Sequence, residues 1–323
     1  MESNTIKQTV ENLIDSALQK RQLLVESFAG RTNAWRLLNS GADGVEGVTV
    51  DILGDVLLVE QHREHAAVTS LIDVLATRFP QKSVFLKKRW STDTDARSGA
   101  QVAGPKCAAV MDVVENGLRF LVRLLDEEHV GIFLDSRLPR EWVHANSRDK
   151  RVLNLFSYTG GFGMVAAAAG AKSTVNIDNK NSALHFAMEN YRRNGLPFDD
   201  RTFFKCDVLY FLKRAAGQKG RFDLIVVDPP PRFKRRKQRD FMAHRDYGTL
   251  LAMCVSVLAD NGVILAGLNA LRASDDRMSQ MIEAAAVRTG RTIETVDELK
   301  AHMDFPPTPD RPTARFRVLR VGA

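Results

Sequence analysis

The sequence has only three cysteines in 323 residues, Cys107, Cys206 and Cys254, and they lie far apart. This number and spacing exclude a disulfide framework and a zinc site built from cysteine pairs. No apolar run approaches the length that crosses a bilayer, and the first residues contain no hydrophobic signal-peptide core. We therefore expect a protein of the reducing cytoplasm that has no membrane partner.

Metal ligands are also scarce. The segment 127–137 contains three acids and His129, but their spacing does not match a known ligand set, so we expect no metal. A turn leading into a helix that carries Trp142 is the preferred interpretation of this region.

The chain is long enough for two domains, and its 44% hydrophobic and 26% charged residues are typical of a globular protein. The formal net charge is +7 and the pI is about 9.4, which favours a polyanionic partner. The oligomeric state is not determined by these properties, and a homodimer is left open.

The stretch from Arg151 to Asp178 predicts a nucleotide-binding unit. A short buried strand over 152–155 leads into a glycine-containing turn, an apolar helix over 162–169, and a second strand over 173–177 that ends at Asp178. Glycines let the backbone come close to a ligand, and an acid after the second strand can bind ribose hydroxyls. We interpret this stretch as a βαβ unit.

The turn from Ser157 to Gly163 lacks the Gly-x-Gly-x-x-Gly spacing with which dinucleotide sites hold a pyrophosphate. This disfavours a nicotinamide-dependent enzyme and favours a ligand bound through adenosine and an amino-acid tail. A second signal is Asp228-Pro229-Pro230, which follows a buried strand over 224–227. Open α/β sheets bind their substrates at this position.

Hydrophobic spacing divides the chain into three regions. Residues 1–30 predict an amphipathic helix, and residues 31–122 predict a small α+β domain with a helix over 64–78 and a hairpin at 115–117. Residues 123–323 alternate strands and helices, among them a helix over 241–259 that a turn at 260–262 joins to a strand over 262–268. This alternation predicts a largely parallel sheet with helices on both faces.

A basic run from Arg232 to Arg239 has six basic residues in eight and follows Asp228-Pro229-Pro230 almost directly. Attraction to phosphates favours a nucleic acid here, and Phe233 could stack on a base; a solvated loop is the alternative. The predicted RNA-binding residues are Arg232, Lys234, Arg235, Arg236, Lys237 and Arg239. A second basic group, residues 87–89, is as consistent with a solvated face as with phosphate contacts.

Together the turn and Asp228-Pro229-Pro230 resemble class I S-adenosylmethionine-dependent methyltransferases. The segments 33–55, 131–137 and 154–160 add a closer similarity, over residues 9–323, to the bacterial 23S ribosomal RNA methyltransferases that act on cytosine C5 or guanine N7. The resemblance implies a Rossmann-like methyltransferase sheet preceded by a small α+β domain, S-adenosylmethionine as cofactor, and RNA, in particular ribosomal RNA, as partner.

The resemblance also implies roles for individual residues. The turn and Asp178 would hold the methionine and ribose parts of the cofactor, Asp207 would meet the adenine, and Asp228 would face the target base. The expected cofactor-binding residues are Phe156, Ser157, Tyr158, Thr159, Gly160, Asp178, Asn179, Asp207, Val208 and Asp228. The expected catalytic residues are Asp228, Phe233 and Asn269.

Two features depart from that group. Its cytosine-C5 members have an amino-terminal PUA RNA-binding domain, for which this sequence has no room before its first helix; this bears on the choice of RNA. An additional proline, Pro231, lies between Asp228-Pro229-Pro230 and the aligned aromatic residue Phe233. This insertion bears on the geometry of the base pocket.

The methyl acceptor follows from the position of the cysteines. Methylation of cytosine C5 needs a nucleophile that first adds to C6, usually a cysteine thiolate. In our alignment that position holds Asn269, and none of the three cysteines is well placed to substitute. An asparagine amide can hold a base by hydrogen bonds, whereas a ring nitrogen needs only alignment with the sulfonium. We therefore predict methylation of a base nitrogen such as guanine N7; the alternative for Asn269 is a helix cap.

Two other functions are consistent with the same residues. One is a methyltransferase for a small molecule or a protein. The other is an RNA-binding protein that holds the cofactor without turnover.

Overall fold

The computed structural model describes residues 2–217, 222–235, 239–268, 275–308 and 315–322. The chain forms two compact units. The first consists of Met1–Asp135 together with Ala301–Pro312, and the second of Ser136–Lys300 together with Thr313–Ala323.

The first unit contains a mixed five-stranded sheet. Its elements are α1 (Glu2–Ser27), β1 (Ala34–Asn39), β2 (Val48–Leu53), β3 (Val56–Gln61), α2 (Val68–Arg78), β4 (Ser83–Lys88), α3 (Thr94–Ser98), β5 (Ala100–Ala103), β6 (Val110–Glu115) and β7 (Leu118–Arg123). The strand order is β1-β2-β3-β4-β5, and β3 and β4 are its parallel neighbours. Strands β6 and β7 form the predicted hairpin, in which Asn116 and Gly117 adopt φ of 51° and 82°, as a tight two-residue turn requires.

Helix α1 packs one face against the core of the first unit, as its spacing predicts. The buried apolar residues on and after this helix are Val10, Ile14, Ala17, Leu24 and Phe28. The same face holds Arg21, which is also buried and donates hydrogen bonds to both carboxylate oxygens of Asp43 at 3.1 and 2.6 Å. Burial alone would raise the pKa of Asp43, but the bonds from Arg21 hold that pKa below its usual value.

A late segment of the chain returns to the first unit. The carboxylate of the buried Asp304 accepts a hydrogen bond from the backbone N–H of Arg36 at 3.0 Å. The guanidinium of Arg36 lies 4.5 Å from the ring centroid of Phe305, and the Asn39 side chain donates to the carbonyl of Pro306 at 2.8 Å. The sequence did not indicate this return, because Arg36 and Asp304 lie 268 positions apart.

The second unit contains a seven-stranded sheet. Its elements are α4 (Arg137–Asn146), β8 (Arg151–Leu155), α5 (Gly161–Ala168), β9 (Ser173–Asp178), α6 (Asn181–Arg193), β10 (Phe203–Lys205), α7 (Val208–Ala215), β11 (Phe222–Val227), β12 (Arg232–Phe233), β13 (Phe241–Met242), α8 (Ala243–Val255), β14 (Leu258–Leu268), α9 (Asp275–Thr289), β15 (Ile293–Leu299) and β16 (Arg315–Val321). The strand order is β10-β9-β8-β11-β14-β16-β15. The first five strands are parallel, and β16 is antiparallel to both of its neighbours.

Both faces of this sheet are covered. Leu153 and Ile225 pack into a core with helices α7, α8 and α9 on one face of the sheet. The adjacent residues Val152 and Val226 are buried as well. Successive residues of a strand point to opposite faces, so the second face must be covered as well. Helices α4, α5 and α6 pack against one another in series. The predicted α/β class, with a largely parallel sheet between helices, is confirmed.

Several local expectations need correction. The helix predicted over 241–259 is shorter, because Phe241–Met242 pairs with β12 and Leu258 already belongs to β14. The predicted turn at 260–262 is a bulge inside β14, where the register with β11 shifts and Asn261 adopts φ of 59°. Helix α3 and strand β5 were not predicted, because they are short and half-exposed and have no clear apolar period.

The basic group at 87–89 also differs from expectation. Lys87 is fully buried and donates to the carbonyl of Asp126, and Arg89 forms an ion pair with Glu60. Lys88 points to solvent, as alternation along β4 requires. Two of these three cations are therefore engaged within the protein. No helix in the described ranges is long and apolar enough to cross a bilayer.

Candidate cofactor and substrate site

The described residues of the predicted cofactor site lie at the ends of four neighbouring strands, β10, β9, β8 and β11. These strands are parallel, so their carboxyl ends meet at one edge of the sheet. Ligands of open α/β sheets bind at this edge. The fold thus brings together residues that are widely separated in the sequence.

The turn after β8 is bonded directly to the acid after β9. The carboxylate of Asp178 accepts hydrogen bonds from the backbone N–H groups of Tyr158 and Lys180, each at 2.9 Å. Phe156 and Tyr158 adopt left-handed conformations with φ of 55° and 47°. Such conformations are costly for residues other than glycine and persist only where the surrounding structure holds them. The turn and Asp178 therefore form one constrained unit.

The glycines of this turn pack against the protein itself. A Cβ atom on Gly160 would lie 2.6 Å from the Cβ of Ala187, and one on Gly163 would lie 2.2 Å from Oδ1 of Asn176. Gly160 also needs its left-handed φ of 73°. Close packing of α5 against α6 and β9 explains these two positions. The approach of a ligand to the backbone of this turn stays a prediction.

A buried polar network that sequence analysis missed supports the turn. The Asn154 side chain donates to the Asn176 side chain at 3.0 Å, and Asn176 donates to the Tyr191 hydroxyl at 3.2 Å. Burial raises the pKa of Tyr191 to about 12, so the phenol stays neutral. The Asn190 side chain donates to the carbonyl of Thr159 at 2.8 Å. Asparagines inside otherwise apolar strands were the available signal.

Ser157 provides a test of whether the turn fits a polar ligand. Its side chain is 5% exposed, and its hydroxyl has no hydrogen-bond partner among the residues described. A buried hydroxyl without a partner is costly, so such a group is expected to bind a ligand or water. The carboxylate of Asp178 also retains lone pairs beyond its two backbone bonds. These groups fit a ligand that has hydroxyl groups and an amino-acid tail.

A cleft of about 640 Å³ lies at the ends of β9 and β10. This volume suits a nucleoside-sized ligand. Its lining residues are Asn179, Lys205, Cys206, Asp207 and Tyr210. Of these five residues, the sequence indicated Asn179 and Asp207 but not Lys205, Cys206 and Tyr210, which lie within three positions of Asp207.

Asp207 also caps helix α7. Its Oδ1 accepts a hydrogen bond from the backbone N–H of Tyr210 at 2.9 Å. The next residue, Val208, was expected to bind the cofactor. Its side chain is 2% exposed and belongs to the core, which leaves only its backbone for a ligand.

Asp228 lies against the end of β14. A Cβ atom on Gly267 would lie 2.7 Å from Oδ1 of Asp228 and 2.6 Å from the ring of Phe316, so only glycine fits there. The Tyr247 hydroxyl donates to the carbonyl of Gly267 at 2.7 Å. Burial, together with the charge of Asp228, raises the pKa of Tyr247 well above its usual value, so this donor stays neutral. Gly267 and Tyr247 were missed, although a glycine inside a strand often marks a close approach.

Phe233, the predicted base-stacking residue, belongs to an aromatic cluster. Its ring stacks on Phe241 with centroids 4.6 Å apart and planes inclined by 20°. It also contacts Phe156, with centroids 5.2 Å apart. The cluster joins the turn after β8 to the loop that follows Asp228. One face of the Phe233 ring is therefore already covered by protein.

Of the four basic residues of the run that the structure describes, three form ion pairs. Arg232 pairs with Asp240 at 2.6 Å, Arg235 pairs with Asp207 at 2.8 Å, and Arg239 pairs with Asp246 at 2.9 Å. Lys234 is exposed. These three arginines neutralise carboxylates and are not simply solvated, which counts against the solvated-loop alternative for them. Nucleic-acid binding by the run stays a prediction. Arg236, Lys237 and the predicted catalytic Asn269 lie outside the described residues.

The acidic segment at 127–137 makes ordinary structural contacts. Glu127 forms an ion pair with Arg97 at 2.9 Å, and the His129 ring packs on Phe133 with centroids 4.7 Å apart. Within the parts of the chain that the structure describes, no three His, Cys, Asp or Glu side chains form a group that could hold a metal ion.

Comparison with known proteins shows that this chain is similar to methyltransferases. The chain matches the model of an S-adenosylmethionine-dependent methyltransferase family over residues 26–320. It is 33% identical over 304 residues to YwbD of Bacillus subtilis (strain 168), which carries a provisional name as a ribosomal RNA large subunit methyltransferase; the match covers 90% of this chain and 74% of YwbD.

Two further matches agree with this. Ribosomal RNA large subunit methyltransferase I of Klebsiella pneumoniae (strain 342) is 29% identical over 281 residues, covering 85% of this chain and 70% of that protein. The crystal structure of SMU.776, provisionally named a methyltransferase and complexed with SAH, has a TM-score of 0.87 at 24% identity. It covers 97% of this chain and 81% of SMU.776, and it confirms the fold.

Proposed function

Because the chain belongs to the S-adenosylmethionine-dependent methyltransferase family, we propose that it methylates large-subunit ribosomal RNA at a base nitrogen such as guanine N7. The names of the relatives in Bacillus subtilis and Klebsiella pneumoniae support ribosomal RNA as the substrate. The cofactor is S-adenosylmethionine. A cytoplasmic location belongs to this proposal.

The observation that carries the proposal is the position of Asp228. Its carboxylate is packed against Gly267 at the same sheet edge where Tyr158 is bonded to Asp178. An acid held there can accept hydrogen bonds from N–H groups of a base, next to a site suited to a nucleoside-containing cofactor. In this proposal the target base and the cofactor would bind at neighbouring strand ends.

Each cofactor contact can be assigned to a residue of the turn or the cleft. S-adenosylmethionine, when bound, supplies a methyl group on a positively charged sulfur. Asp178 would accept hydrogen bonds from the ribose hydroxyls, Ser157 would bind the amino-acid tail, and Asp207 would accept a hydrogen bond from the adenine amino group. The left-handed turn holds these groups in place before the ligand arrives, which reduces the entropy lost on binding.

Cysteine chemistry is disfavoured by the surroundings of the thiols. The thiolate is the reactive form, and burial raises the pKa of Cys254 far above its usual value. Burial and the charge of Asp207 raise the pKa of Cys206 as well. These observations support direct transfer to a ring nitrogen, whose lone pair needs no covalent activation.

The protein would then act mainly by positioning its substrates and excluding water. Asp228, together with Asn269, would orient the target base, and Phe233 would border the base pocket with the side of its ring that faces away from Phe241. The exposed Lys234, with Arg236 and Lys237, would attract the RNA backbone. The arginines that are ion-paired contribute less to this attraction.

In vitro transfer tests this function. Purified protein is incubated with isotopically labelled S-adenosylmethionine and 23S ribosomal RNA from cells that lack the protein, and the digested RNA is analysed by mass spectrometry. We expect label in 7-methylguanosine or another nucleoside methylated on a ring nitrogen. Label in 5-methylcytidine would overturn the choice of atom. Transfer to proteins or small molecules, with none to RNA, would favour the alternative substrate classes.

A cofactor-binding protein without turnover is the remaining alternative. It would bind S-adenosylmethionine and RNA in calorimetry but would leave all of these acceptors unlabelled. Binding and transfer are therefore measured on the same preparation.

A further inference from the structure

Arg235 differs from the other paired arginines of the basic run. Its side chain is 16% exposed, compared with 59% for Arg232 and 71% for Arg239. Arg232 and Arg239 bind acids that lie nearby in the sequence, seven or eight positions away. Arg235 instead reaches Asp207, 28 positions earlier, on the wall of the nucleoside-sized cleft.

The pairing has a fixed two-point geometry. Nε of Arg235 donates to Oδ2 of Asp207 at 2.8 Å, and Nη2 donates to Oδ1 at 3.3 Å. The backbone N–H of Tyr210 donates to the same Oδ1 at 2.9 Å. The planar guanidinium of arginine binds both oxygens of a carboxylate and so restricts its rotation. The helix cap and the arginine together hold the Asp207 carboxylate in one orientation.

A carboxylate held in this way remains able to accept further bonds. Two carboxylate oxygens offer about four lone-pair sites, and among the described residues three N–H groups donate to Asp207. The remaining capacity lies on Oδ2, which accepts one bond, from Nε of Arg235, within the described part of the chain. An amino group of a ligand could donate to that oxygen, whereas a carbonyl at the same position would face the negative charge.

We propose that Arg235 is a positioning residue for purine recognition: by holding Asp207 in place, it makes the cleft select an adenine amino group over a carbonyl. The basic run would then serve the cofactor as well as the RNA. This inference rests on the proposed contact between Asp207 and adenine. It adds a specificity role for a residue that the sequence assigned to RNA binding alone.

Preference between two ligands tests this role more directly than affinity alone. The dissociation constants of S-adenosylhomocysteine and its deaminated analogue S-inosylhomocysteine are measured by calorimetry. The proteins are the full-length chain and its Arg235→Gln, Arg235→Lys, Asp207→Asn and Arg235→Gln/Asp207→Asn variants. Arg151→Gln is the matched control, because Arg151 makes a similar two-point pair with Asp223 at the opposite ends of the strands.

We expect the unmodified protein to prefer the adenosyl ligand by roughly 10-fold or more, the value of one hydrogen bond to a charged group. Arg235→Gln should lose most of that preference, Arg235→Lys should retain part of it, and Arg151→Gln should keep all of it. In the Asp207→Asn background, Arg235→Gln should have no further effect, because Arg235 acts only through Asp207.

Two results would overturn the proposal, and they are distinguishable. If Asp207→Asn lowers the preference but Arg235→Gln and Arg235→Lys leave it unchanged, Asp207 recognises adenine without help from Arg235. If neither the unmodified protein nor Asp207→Asn shows a preference, the contact between Asp207 and adenine is itself wrong. Thermal unfolding of each variant identifies any loss of fold. If Arg235→Gln does not fold, the ligand preference of Arg235→Lys still tests whether Arg235 positions Asp207.

Discussion

The backbone N–H of Tyr158 donates a hydrogen bond to Oδ2 of Asp178 over 2.9 Å. This bond joins the left-handed turn after β8 to the end of the neighbouring strand β9. Asp178 therefore has two tasks in the proposed site, because it would bind the ribose and also fix the turn that would bind the rest of the cofactor.

Substitution of Asp178 should weaken cofactor binding. We expect Asp178→Ala to reduce the affinity for S-adenosylmethionine by about 1.5–3 kcal/mol, the range for hydrogen bonds to a charged group. Asp178→Asn, which keeps an acceptor oxygen, should lose less. Calorimetry on folded protein measures both values.

Asp199→Ala is the control for this prediction, because Asp199 is a partly exposed acid that pairs with Arg201 in the same unit. The Asp199→Ala variant should bind S-adenosylmethionine with the same affinity as the unmodified protein. Unchanged binding by Asp178→Ala would remove Asp178 from the cofactor site.

Removal of cations from the basic run should weaken RNA binding without affecting the cofactor. Because Arg235 is bonded to Asp207, the informative variant replaces Lys234, Arg236 and Lys237 by Gln and leaves Arg235 in place. We expect weaker RNA binding and a log–log salt dependence that is shallower by about 0.7 for each lost phosphate contact. Filter binding at several salt concentrations measures both.

The chain offers a control with the same charge change. Arg148, Lys150 and Lys172 are exposed and lie before β8 and β9, at the opposite end of the strands. Their replacement by Gln should alter RNA binding much less. Equal effects of the two triple variants would show that the attraction arises from net charge and not from the basic run.

Cysteine should be dispensable for methyl transfer. A variant with Cys107→Ser, Cys206→Ser and Cys254→Ala is expected to keep its transfer activity, provided that it folds, because the environments of Cys206 and Cys254 favour the unreactive thiol. RNA containing 5-fluorocytosine should form no stable adduct with the unmodified protein. A covalent adduct on a denaturing gel, lost in the cysteine-free variant, would contradict direct transfer to nitrogen.

The buried Lys87 should make stability depend on pH. Burial, and more weakly the charge of Arg89, lowers the pKa of Lys87 from 10.5 to about 8 in the folded protein. Between these pH values the unfolded chain binds the proton and the folded chain does not, so the free energy of unfolding rises with pH. The full rise from pH 8 to 10.5 would be about 3 kcal/mol.

Urea unfolding at pH 7.5, 9 and 10 gives the free energy of unfolding of the unmodified protein and of Lys87→Met, which lacks the titrating group. The effect is the change with pH in the difference between these two values. The stability of the unmodified protein should increase relative to that variant as the pH rises. Lys88→Met, which alters the exposed neighbour, should parallel the unmodified protein. A constant difference between the unmodified protein and Lys87→Met would exclude the lowered pKa.

Local patterns in the sequence were sufficient to predict much of the fold. The apolar spacing of α1, the hairpin at Asn116-Gly117 and the alternation of strands and helices in the second unit were all confirmed. These features depend on periodicity and turn chemistry over a few residues. The sequence also indicated that three acids lie at one edge of the sheet, namely Asp178, Asp207 and Asp228. Each is at the end of a strand, and parallel strands end on the same side of a sheet.

The tertiary structure alone determined how side chains meet across long sequence separations. The pairing of Arg235 with Asp207, the burial of Lys87 and the contact of Asp304 with Arg36 leave no periodic signal in the chain. The roles of Gly160 and Gly163 were likewise set by Ala187 and Asn176, residues of other elements. A local pattern reports which face of an element is apolar, whereas the partner of a charge or a glycine depends on which elements pack together.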